Sequence, residues 1–159
     1  MSLEPLAVYI HWPFCLSKCP YCDFNSHVRN AIDIERWRKS FLAELDYFAE
    51  IIEGKKVSSI FFGGGTPSLM PPDLVAKLIE RVDIKWGILS DCEITLEANP
   101  TSAETKNFKL LAQAGVNRLS VGVQALKDED LAFLGREHSS MEALSAVDAA
   151  CKAVDRVSL

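Results

Sequence analysis

Tyr9-Ile10-His11-Trp12-Pro13-Phe14-Cys15-Leu16-Ser17-Lys18-Cys19-Pro20-Tyr21-Cys22-Asp23-Phe24-Asn25 is the stretch on which the fold turns. It carries three of the chain's five cysteines, spaced Cys-x3-Cys-x2-Cys, with aromatic residues and prolines between them. Thiolates so close in sequence suit a soft metal or an iron–sulfur cluster. Pro13 and Pro20 narrow the conformations of the loop, so a short segment can gather three sulfurs around one centre. Three cysteines leave one iron of a cubane [4Fe–4S] cluster without a protein ligand. An open coordination position belongs to a reacting site, by the logic that separates open from closed zinc sites. A structural zinc ion completed by His11 or His27 is the alternative. A disulfide framework is disfavoured by the odd cysteine count, the chain size and an N-terminus without a signal-peptide pattern. Cys92 and Cys151, in apolar strand-like and helix-like stretches, read as buried inert thiols.

The chain has 159 residues, 48% hydrophobic and 25% charged, the profile of one ordinary globular domain. No apolar run is long enough for a membrane helix. Seventeen basic against twenty-two acidic side chains give a formal charge of −5 without long runs of either sign. A nucleic-acid binder carries a basic stripe, and none is found. Thiolates that must stay reduced or metallated favour a cytoplasmic setting.

Working outward from the cysteines, Leu6 to His11 predicts a short strand that leads directly into them. A helix is expected over about Asp33 to Glu53, with Ile34, Trp37, Phe41, Leu45, Phe48 and Ile52 as one buried stripe and Gly54 as its stop. Val57 to Phe62 is a second strand, ending in Gly63-Gly64-Gly65-Thr66-Pro67-Ser68. Pro72 to Val82 is a helix with prolines in its first turn. Glu93 to Ala98 alternates as a strand and turns at Asn99-Pro100. Ser102 can cap a helix that runs through Phe108, Leu110, Leu111 and Ala114 to Gly115. Arg118 to Val123 is the fourth strand, Asp128 to Leu134 a short helix closed by Gly135. Ser139 and Glu142 form a capping box for a helix to about Ala153, and Asp155 to Leu159 opens a fifth strand.

Strands alternating with helices over short connections give right-handed crossovers and a parallel sheet. The cysteine loop and the glycine run each follow a strand; Glu97 ends the third and Gln124 follows the fourth. In α/β sheets and barrels that is the ligand-binding edge. The glycine run is not a Walker A loop, because no Gly-Lys-Ser/Thr follows. Beside the cysteines it reads as a binding element, in which absent Cβ atoms let a ligand approach the backbone.

The cysteine spacing resembles the signature of the radical S-adenosylmethionine (SAM) superfamily, in which SAM chelates the fourth iron. More specifically, Tyr9 to Cys15, Phe62 to Ser68, Glu97-Ala98-Asn99-Pro100, Arg118 to Gln124 and Leu134-Gly135-Arg136-Glu137-His138 are similar, in the same order, to the oxygen-independent coproporphyrinogen III oxidase family. The resemblance implies a partial (β/α)6 barrel holding a [4Fe–4S] cluster and SAM. Cys15, Cys19 and Cys22 would ligate the cluster. Tyr9 and Tyr21 would flank the cluster or SAM, and Gly64, Gly65 and Thr66 would receive the methionine end of SAM. Glu97, Gln124 and Arg136 would supply further polar contacts. The implied chemistry is one-electron reduction of SAM, giving methionine and a 5′-deoxyadenosyl radical.

Two departures from the family pattern matter. The decarboxylating oxidases carry another cysteine two positions after the third ligand, where this chain has Phe24. Cys22-Asp23-Phe24-Asn25-Ser26-His27 is instead similar to the heme chaperone branch, implied to bind heme and deliver it to respiratory enzymes. Heme therefore joins the expected cofactors, with the true oxidase as the alternative. Whether the chain is itself an enzyme stays open, and Phe24 argues against coproporphyrinogen oxidation. The second departure is length. Only about four and a half strand–helix units are present, so residues 1–159 are expected to be the N-terminal part of the core domain. The family's adenine and substrate contacts would lie beyond them, and the last strand would be an unpaired edge.

Overall fold

The computed structural model describes residues 4–29 and 31–159. Five parallel strands form the main sheet: β1 (Leu6–Trp12), β4 (Val57–Gly64), β5 (Ile88–Ala98), β6 (Arg118–Val121) and β7 (Arg156–Ser158), side by side in chain order. The helices between them are α1 (Ile34–Ile51), α2 (Pro72–Trp86), α3 (Ser102–Thr105), α4 (Phe108–Gln113), α5 (Asp128–Phe133) and α6 (Ser140–Ala153).

The register shows which face of the sheet meets the helices. Ile10, Phe62, Leu96, Leu119 and Val157 lie opposite one another across all five strands, forming an apolar row. This row joins one core with Leu74, Leu78 and Val82 of α2, Phe108 and Leu111 of α4 and Ala143 and Ala150 of α6. One residue earlier in each strand, the row on the other face is Tyr9, Phe61, Thr95, Arg118 and Arg156. A parallel sheet buried on both faces reads as continuous apolar runs. Alternation with period two puts one face under the helices and the other toward a polar interior, as in a barrel wall. The α/β partial barrel read from the sequence is therefore the fold observed.

Local differences have physical causes. The α1 stripe is only partly buried: Leu45 is in the core, Trp37 and Phe41 pack against it, and Phe48 is 43% exposed. Helix α1 packs against α2 and meets the end of β1, the outermost strand, through Trp37 and Phe41 on Trp12, while a cavity lined by Val8, Ile10, Leu45 and Phe48 separates the rest of the stripe from that strand. Its start follows expectation, with the Asp33 carboxylate accepting from the Arg36 N–H at 3.0 Å. It ends at Ile51, however, two residues before the expected Glu53, where Ile52 turns extended and its N–H closes on the Phe48 carbonyl; Gly54, at φ 69°, lies beyond the cap. Strand β5 begins at Ile88, five residues earlier than its alternation indicates, because Ile88 already pairs with Val57. The Ser102 helix is broken into α3 and α4, and Thr101, not Ser102, takes the cap position, without a side-chain cap. The Ser139–Glu142 capping box is present. Cys92 is buried, and desolvation, then Asp91 and Glu93, push its thiol above the usual range. Cys151 is exposed, which corrects the expectation of a buried thiol: it falls on the solvent side of α6, away from Ala143, Ala146 and Ala150.

Candidate functional site

A small closure invisible to periodicity shapes the cysteine loop. Strand β2 (Phe14–Cys15) pairs in parallel with β3 (His27–Val28), and the His27 N–H donates to the Pro13 carbonyl at 2.7 Å. Residues 16–26 are thereby tied into a closed loop. Cys22 N–H donates to the Cys19 carbonyl at 3.0 Å, turning those two side by side, and the Lys18 ammonium reaches the Phe24 carbonyl at 3.1 Å across the loop. All three cysteines are free thiols, partly exposed.

The glycine run binds this loop edge to edge. Gly65 N–H donates to the Trp12 carbonyl at 2.7 Å and Thr66 N–H to the Phe14 carbonyl at 2.8 Å. A Cβ on Gly65 would lie 2.7 Å from the Phe14 oxygen; on Gly64, at φ 115°, it would lie 2.7 Å from the His11 ring; on Gly63, 2.8 Å from the Tyr9 ring. The three missing side chains thus make room for β1 and the cysteine loop. This gives the run a scaffolding role beside the ligand-facing one expected of it.

Cys15, Cys19, Cys22, Tyr21, Gly65, Thr66, Glu97, Gln124 and Arg136 line one cavity of about 400 Å³ at the C-terminal edge of the sheet. Tyr9 and Gly64 do not line it. Tyr9 stacks on Phe61 and its hydroxyl bonds the His11 Nδ1 at 3.1 Å; the Gly64 N–H donates to Glu97 Oε2 at 3.2 Å. Burial pushes the Glu97 carboxyl above its ordinary value, opposed by that N–H and by His11. Gln124 sits at φ 67° and accepts from the Tyr21 hydroxyl at 3.3 Å. Burial also raises the Tyr21 phenol, with Arg136 opposing.

The histidines offered as zinc ligands lie outside this cavity. His11 Nε2 bonds the Asn25 carbonyl at 2.9 Å, so both its nitrogens are engaged, and His27 is exposed on β3. Among the described residues no three His, Cys, Asp or Glu side chains converge closely enough for a single metal ion. A mononuclear tetrathiolate site needs sulfurs roughly 3.8 Å apart, given zinc–sulfur bonds of about 2.3 Å. A cluster spreads its cysteines over separate irons. Three free thiols line this cavity, and the imidazole that also lines it, His138, is buried and spends its Nε2 on the Val123 carbonyl. The three thiols form a donor set that fits a cluster with one open iron.

Motif reading missed the residues that tie the elements together. Asn99 donates from Nδ2 to Thr66 Oγ1 at 3.1 Å and accepts from Arg136 Nη2 at 2.7 Å. Glu104, 1% exposed, accepts from the Asn99 N–H at 2.8 Å and from the Ser68 hydroxyl. Its place in the polar part of a short helix gave no signal. His138, also buried, donates from Nε2 to the Val123 carbonyl at 3.1 Å, and desolvation depresses its pKa below the ordinary 6.5. A depressed value means that the stability it contributes is complete above pH 6.5 and lost as pH falls. The urea midpoint of His138→Gln should therefore vary less between pH 7 and 5 than that of the unmodified chain. Parallel curves would show that His138 titrates normally.

The Radical SAM superfamily model matches residues 9–159. The chain belongs to the radical SAM superfamily. It is 42% identical over 154 residues to the heme chaperone HemW of Haemophilus influenzae, covering 94% of this chain and 40% of that protein. It is 43% identical over 141 residues to the mitochondrial radical S-adenosyl methionine domain-containing protein 1 of Bos taurus, covering 89% of this chain and 32% of that protein. Among solved structures, the radical SAM coproporphyrinogen III oxidase HemN of Escherichia coli superposes with a TM-score of 0.84 at 27% identity, over 94% of this chain and 35% of that one. The chain thus spans about a third to two fifths of the length of these proteins.

Proposed function

We propose that residues 1–159 form the cluster-bearing part of a radical SAM protein of the heme chaperone type. The observation that carries this reading is the meeting, at one cavity, of three free cysteines with Gly65, Thr66, Glu97, Gln124 and Arg136. Cys15, Cys19 and Cys22 would hold a [4Fe–4S] cluster. When bound and reduced, the cluster supplies one electron to the sulfonium of SAM. Glu97 offers a partly buried carboxylate to the ammonium or hydroxyl groups of SAM, and charge-assisted bonds of this kind are about twice as strong as neutral ones. Gly65 and Thr66 place their backbone, and Gln124 its amide, on the same rim. Tyr9 acts by bracing Gly63 and His11.

Support for the chaperone over the oxidase comes from Phe24, an exposed side chain where the oxidases carry a cysteine, and from the higher identity to HemW than to HemN. In this reading the longer protein binds heme and passes it to respiratory enzymes, in a compartment that keeps thiols reduced. No helix among the described residues is long and apolar enough to cross a membrane.

Anaerobic reconstitution should give a brown protein with about four irons per chain. Alanine at Cys15, Cys19 or Cys22 should each abolish the chromophore, while Cys92→Ala and Cys151→Ala retain it. A colourless chain holding one zinc would overturn the assignment. In the longer protein, heme titration against coproporphyrinogen decarboxylation separates chaperone from oxidase.

A further inference from the structure

We propose that Arg136 tunes the cluster: its guanidinium donates to the Cys19 sulfur and holds the reduction potential less negative than three thiolates alone would set. The proposal rests on the reading that Cys15, Cys19 and Cys22 hold a cluster. Arg136 lies 117 positions from Cys19 in sequence, yet its Nη1 is 3.3 Å from the Cys19 sulfur. This approach is built. Gly135 has φ 66°, and a Cβ there would lie 2.6 Å from Cδ of Pro20, so the turn after α5 is pressed against the cysteine loop. The other arm of the guanidinium, Nη2, donates to Asn99 Oδ1 at 2.7 Å and to the Gly122 carbonyl at 2.8 Å. Asn99 is fixed in turn by the buried Glu104, through its own N–H at 2.8 Å. Two neutral acceptors thus orient the arginine without neutralising it, and no carboxylate bonds its guanidinium among the described residues.

An arginine keeps its charge at any physiological pH. Hydrogen bonds to cluster sulfurs and the net charge around the cluster are established controls of its potential. Reduction adds a negative charge to the cluster, and a fixed cation in contact with one ligand sulfur favours the reduced form. An arginine that only braced the loop would alter cluster content or stability, and would leave the potential of an intact cluster unchanged.

The test is a potentiometric titration of the reconstituted 159-residue chain without SAM, comparing the unmodified protein with Arg136→Gln, Arg136→Lys and Asn99→Ala. Arg136→Gln should move the midpoint to a more negative value by at least a tenfold change in the reduction equilibrium, about 59 mV for a one-electron couple. Arg136→Lys, which keeps the charge and loses the fork, should fall between. Asn99→Ala, which releases the fork, should shift in the same direction by less. Unchanged potentials in variants that hold about four irons would overturn the proposal. So would loss of the cluster in Arg136→Gln together with unshifted Arg136→Lys and Asn99→Ala. If the unmodified chain assembles no cluster, the functional reading fails instead.

Discussion

Gly65→Ala is expected to lose most of its iron on reconstitution and to melt several degrees below the unmodified chain. The new Cβ would sit 2.7 Å from the Phe14 oxygen and 2.9 Å from its carbon and nitrogen. All three atoms belong to the backbone, so no rotamer change relieves the clash. Strand β2 must retreat, stretching the bonds from Gly65 to Trp12 and from Thr66 to Phe14, each now below 2.9 Å. Cys15 is the next residue along, and it moves with the strand. Overpacking of this kind costs about 1–3 kcal/mol, or roughly 2–12 °C in a chain of this size. Gly115→Ala is the control. Gly115 has φ 111° and its Cβ would meet Ile79 Cδ1 at 3.3 Å, far from the cysteines. That variant should lose stability and keep its iron. Iron analysis and melting curves on both read the result, and a Gly65→Ala protein with full iron content would sink the scaffolding argument.

Gly65 also illustrates how much of the site was legible in the sequence. The alternation of β4, β5 and β6 announces a sheet with one apolar face, and the cysteine spacing announces a thiolate centre. Both rest on neighbours a few residues apart, which periodicity and spacing record directly. What the glycines face is a different kind of fact: Gly65 meets Phe14, 51 positions away, through a backbone contact that leaves no trace in either segment. The same holds for the β2–β3 ladder, whose two-residue strands are too short to show alternation. Arg136 was legible as a family match, but its partners were not, because Cys19 and Asn99 are brought to it by the turn at Gly135 and by the fold of the whole sheet. Thr101 and Ser102 are both good cap residues, so composition could not choose between them. The broken helix places Glu104 where its carboxylate reaches Asn99, Thr101 and Ser68.

Glu104→Ala and Glu104→Gln should separate sharply, with the alanine variant losing about 2–4 kcal/mol and the glutamine variant little at neutral pH. The carboxylate is buried and accepts from the Asn99 N–H at 2.8 Å, the Thr101 hydroxyl at 3.3 Å and the Ser68 hydroxyl. Alanine leaves the Asn99 amide, which cannot turn elsewhere, without its carboxylate acceptor. The two hydroxyls can rotate, so the amide and the vacated space dominate the loss. Glutamine keeps a carbonyl oxygen in the place of Oε2 for both Asn99 and Ser68 and offers an NH2 to the Thr101 hydroxyl in the place of Oε1, while removing a carboxyl whose ionisation burial disfavours. Desolvation raises the folded-state pKa of Glu104 above the ordinary 4.5, against the pull of its donors. The titration-linked stability from this group is therefore complete below pH 4.5 and is lost as pH rises through the raised folded value. Relative to Glu104→Gln, the unmodified chain should gain as pH falls. Urea midpoints of the three proteins at neutral pH and near pH 5 provide the comparison. A glutamine variant as unstable as the alanine one at neutral pH would show that the negative charge itself is needed. A gap between glutamine and glutamate that grows in favour of glutamate as pH rises would mean that the donors outweigh burial and the sign of the shift is reversed.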